Sequence, residues 1–458
     1  MNNKRLFGLI LGISAAVIIN LLPLKGLSYQ GKMCLGLTLM TVVFWALQIV
    51  QSGYASGLYL ALLIIFHVAE PSVVFSPWLG STMYLVIGAY LIASSVKSSG
   101  LGERIAYKFI LKYVNSYKSI IISIFALTVM LSILIPHPWP RAFLIMSVMA
   151  VVIKSANIPR EDSIKIGFTV FAASVPSSVI FLTGDSVINP LAVQASGIAV
   201  SWMQWFIYMG PPGIIASIIT CFLILILFKP SKEIKINKEE IKEKLCFLGP
   251  VSSVEKRTIV WLVIAVVLWL TDSIHGIDIG WITLLISMLM SFPVIGDILD
   301  SKQWGEVPVH VLLFLTAAMT IGKVGGVTGM NNWIAETVLP STIPSNPYLL
   351  AAIIAVISIG IHMVLGSVIA VMGIAIPALL IFTEPMSISP IVITLLVYSS
   401  ISIHYILPFH HLNILVGQGE ENGMYGQKEV LRLGVPLTAV VFIIVFIEVI
   451  YWKLIGLF

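Results

Sequence analysis

The chain has 458 residues, 58% of them hydrophobic and only 10% charged. A soluble domain carries about 25% charged residues, so a soluble protein is excluded. The formal net charge of +5 sits in loops flanking apolar runs, which excludes a nucleic-acid surface, and the scattered Cys34, Cys221 and Cys246 have neither disulfide nor metal-ligand spacing.

The apolar runs are long and continuous, as in helices, and lack the alternation of an outer-membrane barrel. The expected class is an all-α polytopic membrane protein. The first run, Leu6 to Leu24, is long enough to span and lacks a small-residue cleavage site, so it reads as a retained helix. Basic residues follow in clusters: Lys4 and Arg5, Lys97 to Lys118, Lys154 to Lys165, and Lys229 to Arg257. The positive-inside rule puts these clusters in the cytoplasm, and with them the N-terminus and the central linker of a plasma-membrane protein.

Two apolar arms, Ser119 to Ile135 and Ala142 to Ile153, are interrupted around Pro136-His137-Pro138-Trp139-Pro140-Arg141. The second arm has 12 residues and as a helix would reach about 18 Å, against a bilayer core of about 30 Å. The pair reads as a re-entrant hairpin over about 119–154, opening to the cytoplasm. Non-helical backbone at that depth survives only in protein or beside a polar cavity, so a charged break marks a solute site. Arg141 is a candidate anion ligand, because guanidinium matches carboxylate or sulfate bidentately and the following helix adds its positive end. A structural ion pair or a side chain snorkelling to water is the plain alternative. A broken helix over about 164–195 follows, carrying Gly184-Asp185-Ser186 and Asn189.

The polar stretch 229–257 separates an N-terminal half, 1–228, from a C-terminal half, 258–458. The halves resemble one another at an offset of 224 positions: Asn189 with Asn413, Gln194 with Gln418, Gly210 with Gly434, Pro212 with Pro436. An inverted copy of the first hairpin is expected at about 349–382, broken around His362–Ser367 and opening outward. A second broken helix over about 388–418 and a closing helix over about 434–455 complete it. Inverted repeats with broken helices at the midplane are a signature of secondary transporters. The apolar runs suggest 10 to 12 transmembrane helices plus the two hairpins.

From about residue 80 to the end, the chain resembles the divalent anion:sodium symporter family, carriers of di- and tricarboxylates and sulfate. Leu407-Pro408 and Asn413-Ile414-Leu415-Val416-Gly417-Gln418-Gly419 carry the resemblance most strongly. It implies a homodimer with a scaffold region and a mobile transport region, and a Ser-Asn-Thr tip on each hairpin that holds sodium and substrate carboxylate. Here the first tip reads Pro136-His137-Pro138 and the second Ser367-Val368-Ile369, so Ser367 alone matches. Sodium wants several oxygen ligands, and valine and isoleucine side chains supply none.

Asp185 has three readings: a partner of Arg141, with the arginine in the place of the lost sodium; a cation or proton ligand in its own right; or a cap for the next helix. Histidine as a residue type titrates near physiological pH, so His410, His411 and His137 are candidates for proton coupling, or are structural residues at polar breaks. Asn189, Asn413 and Ser367 either bind substrate and ion or satisfy freed backbone groups. Glu448 reads as a residue near the membrane interface, His362 and His404 as core histidines, and Trp202, Trp205, Tyr208, Trp333 and Trp452 as interfacial belts. Neither a phosphate-binding loop nor a nucleophile–base pairing is present, so an ATP-driven pump and an intramembrane enzyme are set aside.

The expected function is secondary active transport of a small di- or tricarboxylate or sulfate-like anion, by symport or exchange, with no cofactor beyond Na+ or H+ as coupling ion. The alternatives are a cation/proton antiporter or arsenite-type permease of the same superfamily, and a membrane sensor that binds an anion without moving it.

Overall fold

A computed structural model describes residues 3–234, 236, 238–338 and 344–458. Before the linker come α1 (Asn3–Leu21), α2 (Tyr29–Ala46), α3 (Ser52–Ile65), the single turn α4 (Pro71–Val74), α5 (Ser81–Ser98), α6 (Leu101–Tyr113), α7 (Tyr117–Leu134), α8 (Pro138–Ser155), α9 (Arg160–Ser178), α10 (Ile188–Ser196) and α11 (Trp202–Leu227). The linker carries α12 (Glu239–Phe247). After it come α13 (Ser253–Leu270), the turn α14 (Asp272–His275), α15 (Ile279–Leu289), α16 (Val309–Val327), α17 (Met330–Val338), α18 (Pro347–Leu365), α19 (Val368–Thr383), α20 (Pro390–Ser402), α21 (Leu412–Leu415) and α22 (Gln427–Leu454). Among the described residues there is no β-strand.

One order occurs twice: long helix, short helix, helical hairpin, broken helix, long helix. It runs from α5 to α11 and again from α16 to α22. The packing repeats with it, since α5 lies on α15 while α3 lies on α16, and each hairpin packs on the broken helix that follows it. The copies are inverted. Tyr451 and Trp452, near the end of α22, bond to the carbonyls of Ile207 and Tyr208, near the start of α11, so these two long helices run antiparallel. The foot of the first hairpin, Tyr117, bonds to Phe228 O at the end of α11. The foot of the second, Tyr348, stacks under Lys453 at the end of α22. α11 has 26 residues, about 39 Å as a helix, so the two hairpins enter from opposite ends of the bundle.

The first hairpin departs from its expected arms. Its second arm is 18 residues long, about 27 Å, because the helix starts at Pro138. Proline lacks the N–H that a first helical turn leaves unpaired anyway and holds a helical φ, so Pro138 and Pro140 open α8 where the sequence reading took them as interruptions. The break shrinks to 135–137. Ile135, the residue before Pro136, is extended at φ −118° and ψ 94°, as the clash with a following proline ring requires. The arms form a hairpin because they pack together and return to one side, not because either is short. Among the described residues six helices are long and apolar enough to cross a bilayer by length and composition, hairpin arms included, and α1, α3, α15 and α20 are shorter apolar helices.

Three of the four tryptophans expected as belts are pegs inside the protein, and Trp333 is partly exposed. Trp202, Trp205 and Trp452 are 3%, 0% and 0% exposed. Their indole N–H groups bond to Thr183 Oγ1, Val179 O and Tyr208 O. A buried indole takes a hydrogen-bond partner wherever one is available; here the partners are a threonine hydroxyl and a carbonyl at the first break and a carbonyl inside α11, whose partner four residues on is Pro212, which has no N–H.

On the side where the first hairpin opens, Arg104 of α6 grips the linker. Its guanidinium bonds Glu255 at 2.5 and 3.1 Å and reaches the carbonyls of Leu248, Gly249 and Pro250. Removing one partner of a buried ion pair costs about 3 kcal/mol or more. Arg104→Ala will therefore loosen this segment, read as faster amide hydrogen exchange across 248–256; unchanged exchange there would show that the clamp does not hold the linker.

Candidate functional site

Two tips and two breaks meet at the centre of the bundle. At the first break α9 ends at Ser178 and the chain turns back over that end. Gly184 is what permits the turn, because a Cβ there would stand 2.5 Å from Ser178 O. Asp185 Oδ1 accepts from the amides of Val187 and Ile188 at 3.0 and 3.1 Å, so it caps α10. Ser186 N donates to Pro136 O at 3.2 Å and ties the break to the first tip.

Arg141 lies one turn into α8 and is fully buried. Its Nη1 donates to Ile135 O on the tip and to Gly184 O on the break, both at 3.2 Å, and its Nη2 to Ser178 Oγ at 2.7 Å. Nε has no partner. No Arg141–Asp185 ion pair forms among the described residues, since the carboxylate is turned to the α10 amides. The guanidinium is a fixed positive charge in the bundle interior, ligated by neutral oxygens.

His137 packs between the rings of Tyr90 and Trp139, with Nε2 2.8 Å from Tyr90 Oη and Nδ1 unpartnered. Asn189 is saturated: its Nδ2 donates to Ser178 O and Phe181 O, and its Oδ1 accepts from Tyr398 Oη at 2.5 Å.

The second tip is built differently. Gly366 ends α18 in the left-handed region at φ +61°, where a Cβ would also meet the Phe409 ring at 2.6 Å; glycine is the usual residue for such a cap. Ser367 then N-caps α19 by accepting from Ala370 N. In the second break the amides of Ile406 and Leu407 donate to His410 Nδ1, and that of Asn413 to His411 Nδ1. Each ring therefore carries its proton on Nε2. His411 Nε2 donates to Ser402 O at 3.1 Å, while His410 Nε2 has no partner. His362 Nε2 donates to His410 O at 2.8 Å; both His362 and His404 are buried, as core histidines should be.

Two bonds join the copies across the centre. Trp139 Nε1 on the first tip donates to Asn413 Oδ1 at the second break, at 3.0 Å. Tyr398 on α20 makes the bond to Asn189 at the first break. The structure thus gathers Arg141, His137, Asp185 and Asn189 at the first break, and Ser367, His410, His411 and Asn413 at the second. Sequence reasoning missed Tyr90, Ser178 and Tyr398 as partners; each sits in an apolar run where nothing sets it apart from core.

A cavity of about 340 Å³ opens at the second tip. Its polar wall is Arg5 of α1, Gln48 and Gln51 between α2 and α3, Ser52 at the start of α3, Ser367, and His410 with its free N–H. The amino end of α19 faces it, through Val368 and Ile369. An exposed guanidinium, a free imidazole N–H and a helix amino end all favour an anion.

The first break does not suit a sodium ion. Ile135 O, Gly184 O and Ser178 Oγ, the oxygens a cation would take, already accept from Arg141. Among the described residues no group of three or more His, Cys, Asp or Glu side chains is placed to hold a metal ion.

The profile of the sodium:sulfate symporter transmembrane region matches residues 3–458. The chain belongs to this family. A relative from Cupriavidus necator described as "Membrane protein" is 25% identical over 98% of this chain and 93% of its own length. The chloroplastic dicarboxylate transporter 1 of Spinacia oleracea is 27% identical over 72% of this chain, and the match spans 60% of the spinach protein. Among solved structures, the Alcanivorax borkumensis YdaH transporter, described as having an unusual topology, superposes with a TM-score of 0.51 at 14% identity, covering 84% of this chain and 86% of that one; this likeness speaks for the fold. The family comprises membrane transporters, sodium-coupled members among them.

Proposed function

We propose that the protein is a secondary carrier of small divalent anions, of the dicarboxylate or sulfate type, that works without sodium. The observation that carries this reading is the buried Arg141 guanidinium between the first tip and the first break, with no carboxylate paired to it. A permanent charge there does two things a bound sodium ion would do. It holds the tip to the break, and it makes the centre of the bundle attractive to an anion in a low-dielectric setting. The cavity at the second tip gives that anion a place, with Arg5, Ser367 and the His410 N–H as donors. Asn189 and His411 act as struts in this reading, because their bonds are spent on the break backbone and the opposite copy, and Asp185 as the α10 cap; Asn413 accepts from Trp139 through Oδ1 and keeps a buried Nδ2 without a partner among the described residues, a further donor beside the site.

The carrier would sit in the plasma membrane with the Arg104 clamp and the linker in the cytoplasm, as a homodimer, the two halves 1–228 and 258–458 meeting around the site. The hairpins, broken helices, α11 and α22 would form the moving part, and α1 to α5 with α13 to α16 the frame.

Purified protein in proteoliposomes provides the test, with labelled succinate, citrate or sulfate and sodium replaced by choline. Uptake or exchange of one of these anions at an equal rate in both salts is expected. Strict sodium dependence would sink the sodium-free reading, and failure to move any anion in either salt would sink the anion reading.

A further inference from the structure

Glu448 stands apart from everything assigned above. The sequence reading put it near the interface, yet it is 0% exposed. It projects from α22 onto α20, where Ser399 Oγ donates to its Oε1 at 2.6 Å. Its Oε2 has no hydrogen-bond partner. α22 packs on α9, α11, α18 and α20. The basic groups on these elements are engaged elsewhere: Arg160 and Lys165 of α9 pair with Glu420 and Asp162, and His362 of α18 bonds to His410 O, while Tyr398 of α20 bonds to Asn189; among the described residues none of them bonds to Glu448.

An ionised carboxylate cannot stay here. One hydroxyl hydrogen bond does not replace the hydration of a charge, and with no cation beside it the buried group neutralises instead. The simplest neutralising partner is a proton on Oε2. We infer that Glu448 is the site at which this carrier takes up its coupling proton.

The histidines of the second break are poorer sites. His410 and His411 accept backbone amides through Nδ1, so a second proton would displace bonds that shape the break. Glu448 has the opposite arrangement, with a free oxygen and a position linked to the centre. Ser399 lies one turn before α20 ends in the second break, and its neighbour Tyr398 bonds to Asn189 at the first. Loading forms an O–H bond on Oε2 and raises the charge of the carrier by one; release breaks that bond and passes the proton to water. In the closed arrangement Glu448 is neutral, and it can give up the proton only when movement of the hairpins, broken helices, α11 and α22 against the frame admits water. This ties the proton to the same movement that exposes the anion site.

The inference rests on the carrier reading, and three measurements on full-length protein separate the two. In infrared spectra at neutral pH, wild type is expected to show the carbonyl band of a buried carboxylic acid, absent in Glu448→Gln. In proteoliposomes with labelled succinate, citrate or sulfate, an acid exterior of one pH unit is expected to raise net accumulation by wild type about tenfold per proton carried. Glu448→Gln is expected to lose that stimulation and keep counterflow exchange within about twofold, because exchange needs no proton release. A residue with a merely structural role would lower both together, and that result overturns the inference. So does proton-driven uptake that survives in Glu448→Gln, or a wild type without the infrared band. A wild type with the band that moves no anion in either mode overturns the carrier reading and the coupling role with it.

Discussion

Arg141→Ala will leave a protein that inserts and folds in part but exchanges anion at least about 100-fold more slowly than wild type. The substitution leaves three acceptors behind. Ile135 O, Gly184 O and Ser178 Oγ each lose their donor in a water-poor interior, and an unsatisfied buried acceptor costs about 1–3 kcal/mol. A loss of about 3 kcal/mol in the moving state alone gives about 100-fold in rate. Arg141→Lys keeps the charge, but one ammonium cannot reproduce a planar fork spread over three acceptors, so an intermediate rate is expected. Thermal stability and exchange rate should be measured on the same monodisperse fraction. Exchange by folded Arg141→Ala at the wild-type rate would show that the guanidinium is not holding tip to break.

Gly184→Ala will destabilise the protein by about 3 kcal/mol, although it adds one methyl group. The new Cβ would stand 2.5 Å from the Ser178 carbonyl and 3.2 Å from its carbon, and backbone is a poor candidate to yield. The same shift would carry the Gly184 carbonyl away from Arg141, so stability and transport should fall together. Gly57→Ala is the control: it lies in α3 with no heavy atom within 4 Å of the added Cβ, and alanine there should be neutral or gain up to about 1 kcal/mol. Equal melting temperatures for Gly184→Ala and wild type would remove the argument for close approach at the first break.

Much of the architecture was legible in the sequence because proline and glycine punctuate it. Pro136 and Pro138 mark the first tip, Gly184 the first break, and Gly366 with Ser367 the second tip. The 224-position offset found the second break through Asn413 before any contact was known. The errors came where one residue type serves two purposes. Pro138 and Pro140 read as interruption and turned out to open a helix. Trp202, Trp205 and Trp452 read as interfacial belts and turned out to be buried, with their N–H groups on a threonine hydroxyl and two carbonyls. Glu448 read as peripheral because an isolated acid in an apolar run gives no sign of its depth. The partners of the site residues were out of reach altogether. Tyr90 lies 47 positions from His137 and Tyr398 lies 209 from Asn189, and only tertiary packing brings such pairs together.

The two copies are alike in plan and unlike in detail, and this has a thermodynamic consequence. Identical inverted copies would make the inward-open and outward-open forms mirror exchanges of one another, with equal free energy in a symmetric bilayer. Here α9 has 19 residues and its counterpart α20 has 13. One tip is closed by prolines and a guanidinium, the other by a left-handed glycine and a serine cap. Swapping their roles no longer returns the same molecule. The empty carrier therefore has a resting side, and the size of that bias is written into Arg141, Gly366 and the six residues by which α20 is shorter.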